Sequence, residues 1–139
     1  MKTTVSNIVT AIILTGSLSC SVRAEPPPIS QLAGSYYRGD HLGYNLMLDL
    51  APSGTYTATW SGCMGTYGTG KGRWTVKDDQ IALAPSAETG TMKGHLRQLR
   101  VIPKGKGFVF VPQSDIKGEF YKKYGPTETI AFHKQPKKR

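Results

Sequence analysis

Residues 44–60, YNLMLDLAPSGTYTATW, hold two alternating runs around a turn, and this stretch leaves few alternatives to an antiparallel sheet. Leu46, Leu48 and Leu50 fall on one face and Asn45, Met47 and Asp49 on the other, which is the two-residue period of a half-buried strand. Pro52 fixes φ and Gly54 is free to take a positive φ, so APSG reads as a turn. The chain then returns with Tyr56, Ala58 and Trp60 on one face and threonines opposite. The pair predicts a β-hairpin.

The same pattern recurs along the chain. In GRWTV, Trp74 and Val76 alternate with Arg73 and Thr75; KDDQ turns; IAL places Ile81 and Leu83 together. GSYY, FVFV and TIAFH read as further strands, and HLRQLRVI reads as a strand through Leu99 and Val101 that ends at Pro103. The glycine-rich stretch around Cys63 reads as a loop, and SAETGTMKG after Pro85 as an irregular connection. About eight short strands result, with no crossover helix between them. The expected fold is therefore all-β, a small antiparallel up-and-down barrel of lipocalin-like type over residues 33–134, with a two-sheet sandwich as the alternative. Closure favours the barrel because it removes exposed sheet edges.

The ends of the chain carry other signals. MKTTVSNIVTAIILTGSLSCSVRA has a basic start, an apolar centre at Ile12, Ile13 and Leu14, and small residues Val22 and Ala24 before a cleavage site, so residues 1–24 read as a secretory signal peptide. Cys20 offers a rival site for lipoprotein processing. The expected location is periplasmic or secreted, with a membrane-anchored lipoprotein as the alternative. Either route takes Cys20 out of the fold and leaves Cys63 the sole thiol in an oxidising compartment, so no intrachain disulfide is expected. Residues 25–32 open with EPPP, a stiff leader. Removing Lys2 and Arg23 takes the formal net charge from +9 to +7, and residues 135–139 form a basic tail. The excess suits an anionic envelope component or peripheral membrane contact, through the tail or a lipidated Cys20; nucleic acid is not expected.

Few residues point to chemistry. Nucleophilic catalysis would need Cys63 beside His41, His95 or His133, and no protease-type signature surrounds the cysteine. An inert packed thiol is the main reading, with a dimer through an intermolecular Cys63 disulfide behind it. No closely spaced His or Cys pair suggests a metal, and no cofactor is expected. Glu88, Glu119 and Glu128 fall in expected loops or turns at no glycosidase spacing. Phosphate-loop patterns are absent, and RGD at residues 38–40 reads as a polar turn.

What remains is aromatic. Tyr36, Tyr44, Tyr56, Trp60, Tyr67 and Trp74 crowd the first half, and they either fill the core or line a site for a small apolar ligand. Asp40, His41, Tyr44, Trp60 and Tyr67 are the expected rim residues of such a site. The leading reading is a non-enzymatic exported barrel that binds a small ligand or an envelope component at its mouth. It requires a pocket lined by those rings. The alternative is an interaction or inhibitor module using a basic surface or the 60–68 loop, which requires a filled core and an exposed loop. A thiol enzyme is the third reading.

GYNLMLDLAPSGTYTATWSG, followed by GKGRWTVKDDQIAL, resembles the N-terminal domain of the copper-resistance lipoprotein NlpE family and, more loosely, small lipocalin-like barrels. The shared features are a leading glycine, a Pro-x-Gly-Thr-Tyr hairpin and a Gly-x-Trp strand ending in IAL, across roughly residues 40–84. The resemblance implies an envelope-located barrel of bacterial type. That family carries a Cys-x-x-Cys before its first alternating strand, and Arg38 and His41 stand there in this chain. Copper binding and thiol signalling are therefore not implied.

Overall fold

The computed structural model describes residues 25–136. The expected signal peptide, Cys20 and the last three residues of the basic tail lie outside them. Eight antiparallel strands follow one another around a closed barrel. They are β1 (Gly34–Gly39), β2 (Asn45–Leu50), β3 (Thr55–Gly62), β4 (Gly65–Lys77), β5 (Gln80–Glu88), β6 (Gln98–Lys104), β7 (Gly107–Pro112) and β8 (Phe132–Lys134). Each strand pairs with the next, and β8 closes on β1 through Tyr36↔Lys134 and Tyr37↔His133. The expected barrel is the fold, not the sandwich.

The alternation read from the sequence sets the register. Tyr36 stands opposite Leu48, Leu48 opposite Ala58, and Ala58 opposite Gly70, so one row crosses four strands on the inner face. Tyr36, Leu46, Leu48, Tyr56, Trp74, Ile81, Leu99, Phe110 and Phe132 pack together inside, none more than 3% exposed. Each such side chain contributes about 1.5–3 kcal/mol on full burial. Two of the rings have their polar atoms satisfied locally: the Tyr36 hydroxyl donates to the Leu32 carbonyl at 2.7 Å and Trp74 Nε1 donates to the Ala51 carbonyl at 2.9 Å. Tyr36, Tyr56 and Trp74 therefore build the core.

Three readings are corrected. The glycine-rich stretch is not a loop: β4 runs unbroken over 13 residues and only Cys63 and Met64 separate it from β3. Gly68 and Gly70 face inward there, and a Cβ on Gly68 would lie 2.5 Å from the Thr89 carbonyl oxygen. Glycine is what lets the following connection lie against this strand. Likewise, β5 continues through Pro85 to Glu88, because a register shift opposite Lys71/Gly72 accommodates a residue that cannot donate to the ladder. Helix is also present in short pieces, α1 (Ile29–Leu32), α2 (Gln113–Ile116) and α3 (Glu119–Tyr124).

These short pieces close the barrel. At one end α1 inserts Leu32, which is fully buried in the core. At the other, the β5–β6 connection turns through a 3-10 segment (Gly90–Met92) and buries Met92 and Leu96 among the inner side chains. This second end also carries the turns 40–44 and 63–64 and the segment 113–131, and is called the loop end below. On the outer wall, Val109, Val111, Ile130 and Ala131 form a second cluster with Ile102, Ile116 and Tyr121, which fixes the α2–α3 segment against β7.

Candidate functional site

Arg38 stands two residues after Tyr36 on β1 and shares its inward face, so its guanidinium enters the loop end of the barrel. Its Nη2 lies 2.6 Å from Asp115 Oδ2 on α2, and its Nε donates to the Thr129 carbonyl at 3.0 Å. The same guanidinium sits 5.6 Å from the Tyr44 ring centroid and 6.0 Å from that of Phe132. The polar turn expected at RGD is thus corrected: Arg38 is a strand residue at the barrel mouth. Alternation from Tyr36 was the signal that could have placed it.

Tyr44 continues the cluster. Its ring meets Trp60 edge-on at 5.1 Å, and Trp60 in turn contacts His95 at 4.6 Å. Loss of water pushes the Tyr44 phenol up, against an opposing pull from Arg38. Partial desolvation and then the Arg38 charge hold His95 below the usual imidazole range. The mouth is therefore the Arg38–Asp115 ion pair, an imidazole and two rings, packed against one another. His95 was singled out only as a possible base for Cys63 and Asp115 not at all, because neither lies on an alternating run that would aim it at the mouth.

The other expected rim residues lie elsewhere. The Asp40 carboxylate accepts from the Leu42 amide at 2.9 Å and the Tyr44 amide at 3.0 Å, and those bonds hold its pKa below the usual carboxylate range. His41, at φ 61°, stacks on Tyr37 at 4.5 Å, and its amide donates to the Tyr37 hydroxyl at 2.8 Å. Both serve the turn between β1 and β2. Tyr67 points outward from β4; a register shift at Trp60/Ser61 separates it from the mouth, and its ring covers Gly62. The structure brings Tyr44 and Trp60 together and leaves Asp40, His41 and Tyr67 outside their cluster.

Cys63 is a further correction, because it is exposed at the tip of the β3–β4 hairpin rather than packed. Its thiol donates to the Leu42 carbonyl at 3.5 Å. A Cβ on Gly62 would come 2.4 Å from the Gly43 carbonyl oxygen, so the two hairpin tips lie in direct contact. Both tips carry apolar residues in solvent: Leu42 is 74% exposed and Met64 89%. Among the described residues no group of three or more His, Cys, Asp or Glu side chains gathers at metal-binding distance.

Clefts indent the surface of the described residues at both ends of the barrel. One, of about 360 Å³, lies beside α2 and α3 and is lined by Arg38, Asp115, Phe120, Tyr121 and Ile130 among others. Another, of about 550 Å³, lies at the far end between the leader and β6–β7, where Pro27, Val101, Pro103 and Phe108 supply apolar walls. None of Asp40, His41, Tyr44, Trp60 or Tyr67 lines either cleft. Comparison with protein-family models, with curated proteins and with solved structures finds no match to this chain.

Proposed function

We propose that this chain is an exported, non-enzymatic barrel of the bacterial envelope that acts as an interaction module, meeting a protein partner with the tips of its β1–β2 and β3–β4 hairpins. The observation that carries the reading is the pairing of a self-filled interior with Leu42 and Met64 in solvent on touching loops. Large apolar side chains concentrated on adjoining tips mark a contact surface more often than chance exposure does. Lys93, Lys117, Lys122 and Lys123 are exposed on segments of the same end and favour a partner whose surface is acidic around an apolar centre.

A photoreactive side chain placed at Met64 in cells producing the chain tests this, with Lys106 at the opposite end as the control position. The reading expects a discrete protein adduct from position 64 that disappears when Leu42→Ser is added. Equal adducts from both positions, or an adduct indifferent to Leu42, would overturn it. A small apolar ligand is the second reading, favoured by the apolar walls of the 550 Å³ cleft, a volume in the range of ligand sites. Saturable one-to-one binding of a fluorescent fatty acid, weakened by Phe108→Ser, would support it.

A further inference from the structure

The outer row of β4 has a character that the loop end does not share. Tyr67, Thr69, Lys71, Arg73, Thr75 and Lys77 alternate with Gly68, Gly70 and Trp74, and every member of the row is exposed. Register places short side chains on both flanks. Thr57 and Thr55 of β3 stand opposite Lys71 and Arg73, and Ala87, Ala84 and Ala82 of β5 stand opposite Lys71, Arg73 and Thr75. The cations thus rise from a floor of threonine and alanine.

Opposite charge is scarce on this wall. β3 has no acidic residue, and Glu88 at the end of β5 is bound by Arg97. Asp49, one strand beyond Thr57, accepts from the Ser35 hydroxyl, and Asp79 in the turn pairs with Arg100 at 2.7 Å. Asp78 follows Lys77 in the same turn. Lys71, Arg73 and Lys77 make no ion pair among the described residues. Alternate residues of a strand are about 7 Å apart, so the three cations span about 20 Å. Lys71 and Arg73 lie within a Debye length of about 8–10 Å and their potentials add, while Lys77 stands about 13 Å beyond Arg73 and extends the row.

We infer that the outer face of β3, β4 and β5 is a binding surface for an extended anionic polysaccharide. A row of cations suits a linear polymer of sugar acids, and Arg73 offers the planar fork that matches a carboxylate. The flanking threonine hydroxyls can exchange hydrogen bonds with sugar hydroxyls. Tyr67, partly exposed at one end of the row, offers an aromatic ring on which the C–H face of a sugar can pack. A lipid surface fits less well, because Tyr67 is the sole large apolar side chain exposed on the row and nothing beside the cations could enter an acyl layer. Single-stranded nucleic acid fits less well too, since one ring cannot stack successive bases. The row meets the β3–β4 hairpin tip only at Tyr67, whose hydroxyl lies 3.5 Å from the Met64 amide; the cations lie farther along the strand, and either proposal can fail without the other.

Isothermal titration of the folded protein at low salt with an oligogalacturonate of about a dozen residues tests the inference, the polymer chosen to span the 20 Å row. Arg73→Gln should weaken binding about fivefold and Lys71→Gln/Arg73→Gln about twentyfold or more, while stability stays unchanged. Lys104→Gln/Lys106→Gln, which removes the same charge from the far turn, should leave affinity within about twofold. A neutral galactan of equal length should not bind. Equal losses from the two double variants would reduce the effect to net charge and overturn the inference. So would no measurable binding, or tighter Arg73-dependent binding to oligo(dT) or to phosphatidylglycerol vesicles.

Discussion

The Arg38 guanidinium and the Asp115 carboxylate, 2.6 Å apart with side chains 11% and 32% exposed, tie the inner wall of the barrel to the first short helix after β7. The pair sits between a surface bridge and a buried one, so breaking it from one side should cost more than an exposed bridge. Asp115→Ala leaves Arg38 with the Thr129 carbonyl and two ring faces but no counter-charge. We expect a loss of about 2 kcal/mol. Adding Arg38→Met should recover part of it, so that the double variant costs less than the sum of the singles. Urea unfolding of the four proteins gives the coupling, and strict additivity would rule the linkage out.

Gly68 is a position where a single methyl group should be felt. Its added Cβ would meet the Thr89 carbonyl oxygen at 2.5 Å, the Met92 amide nitrogen at 2.7 Å and the Thr91 amide nitrogen at 2.8 Å, all backbone. Backbone cannot swing aside, so the connection that carries Met92 into the barrel would have to lift. Gly68→Ala should destabilise by about 2–3 kcal/mol. At Gly107 a Cβ meets nothing within 4 Å, and Gly107→Ala should be neutral or stabilising by up to about 1 kcal/mol. Thermal melts of the two variants decide it, and similar melting temperatures would contradict the close approach.

The contrast between these glycines shows where the sequence was legible and where it was not. Wherever large apolar residues recur at every second position, as in Leu46–Leu50 or Trp74–Val76, the inner face could be read directly, and with it the barrel. Along Thr66–Gly72 the inward positions are glycines, which give no apolar signal, so a strand looked like a loop. The mouth was half legible: Tyr44 and Trp60 follow the alternation, while His95 and Asp115 arrive on segments with no period. Cys63 looked packed because no protease-type signature surrounds it and a glycine-rich loop holds small residues for steric reasons. Its exposure follows from occupying a turn tip between Gly62 and Gly65.

The β5–β6 connection has its own anchor, and that anchor should be visible as a pH dependence. Arg97 grips both oxygens of Glu88 at 2.7 Å, and the Gly94 amide donates to the same carboxylate at 3.1 Å. The Arg97 bond, chiefly, holds Glu88 below the usual carboxylate range. A carboxylate with a depressed folded pKa stabilises fully above its unfolded pKa of about 4.3 and loses that contribution as pH falls through the folded value. Glu88→Gln should therefore lower stability at neutral pH, and its deficit should shrink in acid. Urea midpoints of both proteins across the acid range test this; a deficit that stays constant throughout would exclude the ionic contribution.

Cys63 should behave as an accessible thiol, and its chemistry separates the remaining readings of it. Its sulfur makes one long contact, to the Leu42 carbonyl at 3.5 Å, and that hydrogen bond is too weak to protect it. Under native conditions a thiol reagent should modify it at a rate within about tenfold of a free cysteine, without unfolding the barrel. Cys63→Ser should leave stability within about 0.5 kcal/mol, since the side chain supports no core. Oxidation without reagent should give a disulfide-linked dimer, because exposed tips of two copies can approach through Cys63, Leu42 and Met64. Non-reducing gels resolve that dimer, and slow modification only in denaturant would show that the tip is covered in solution.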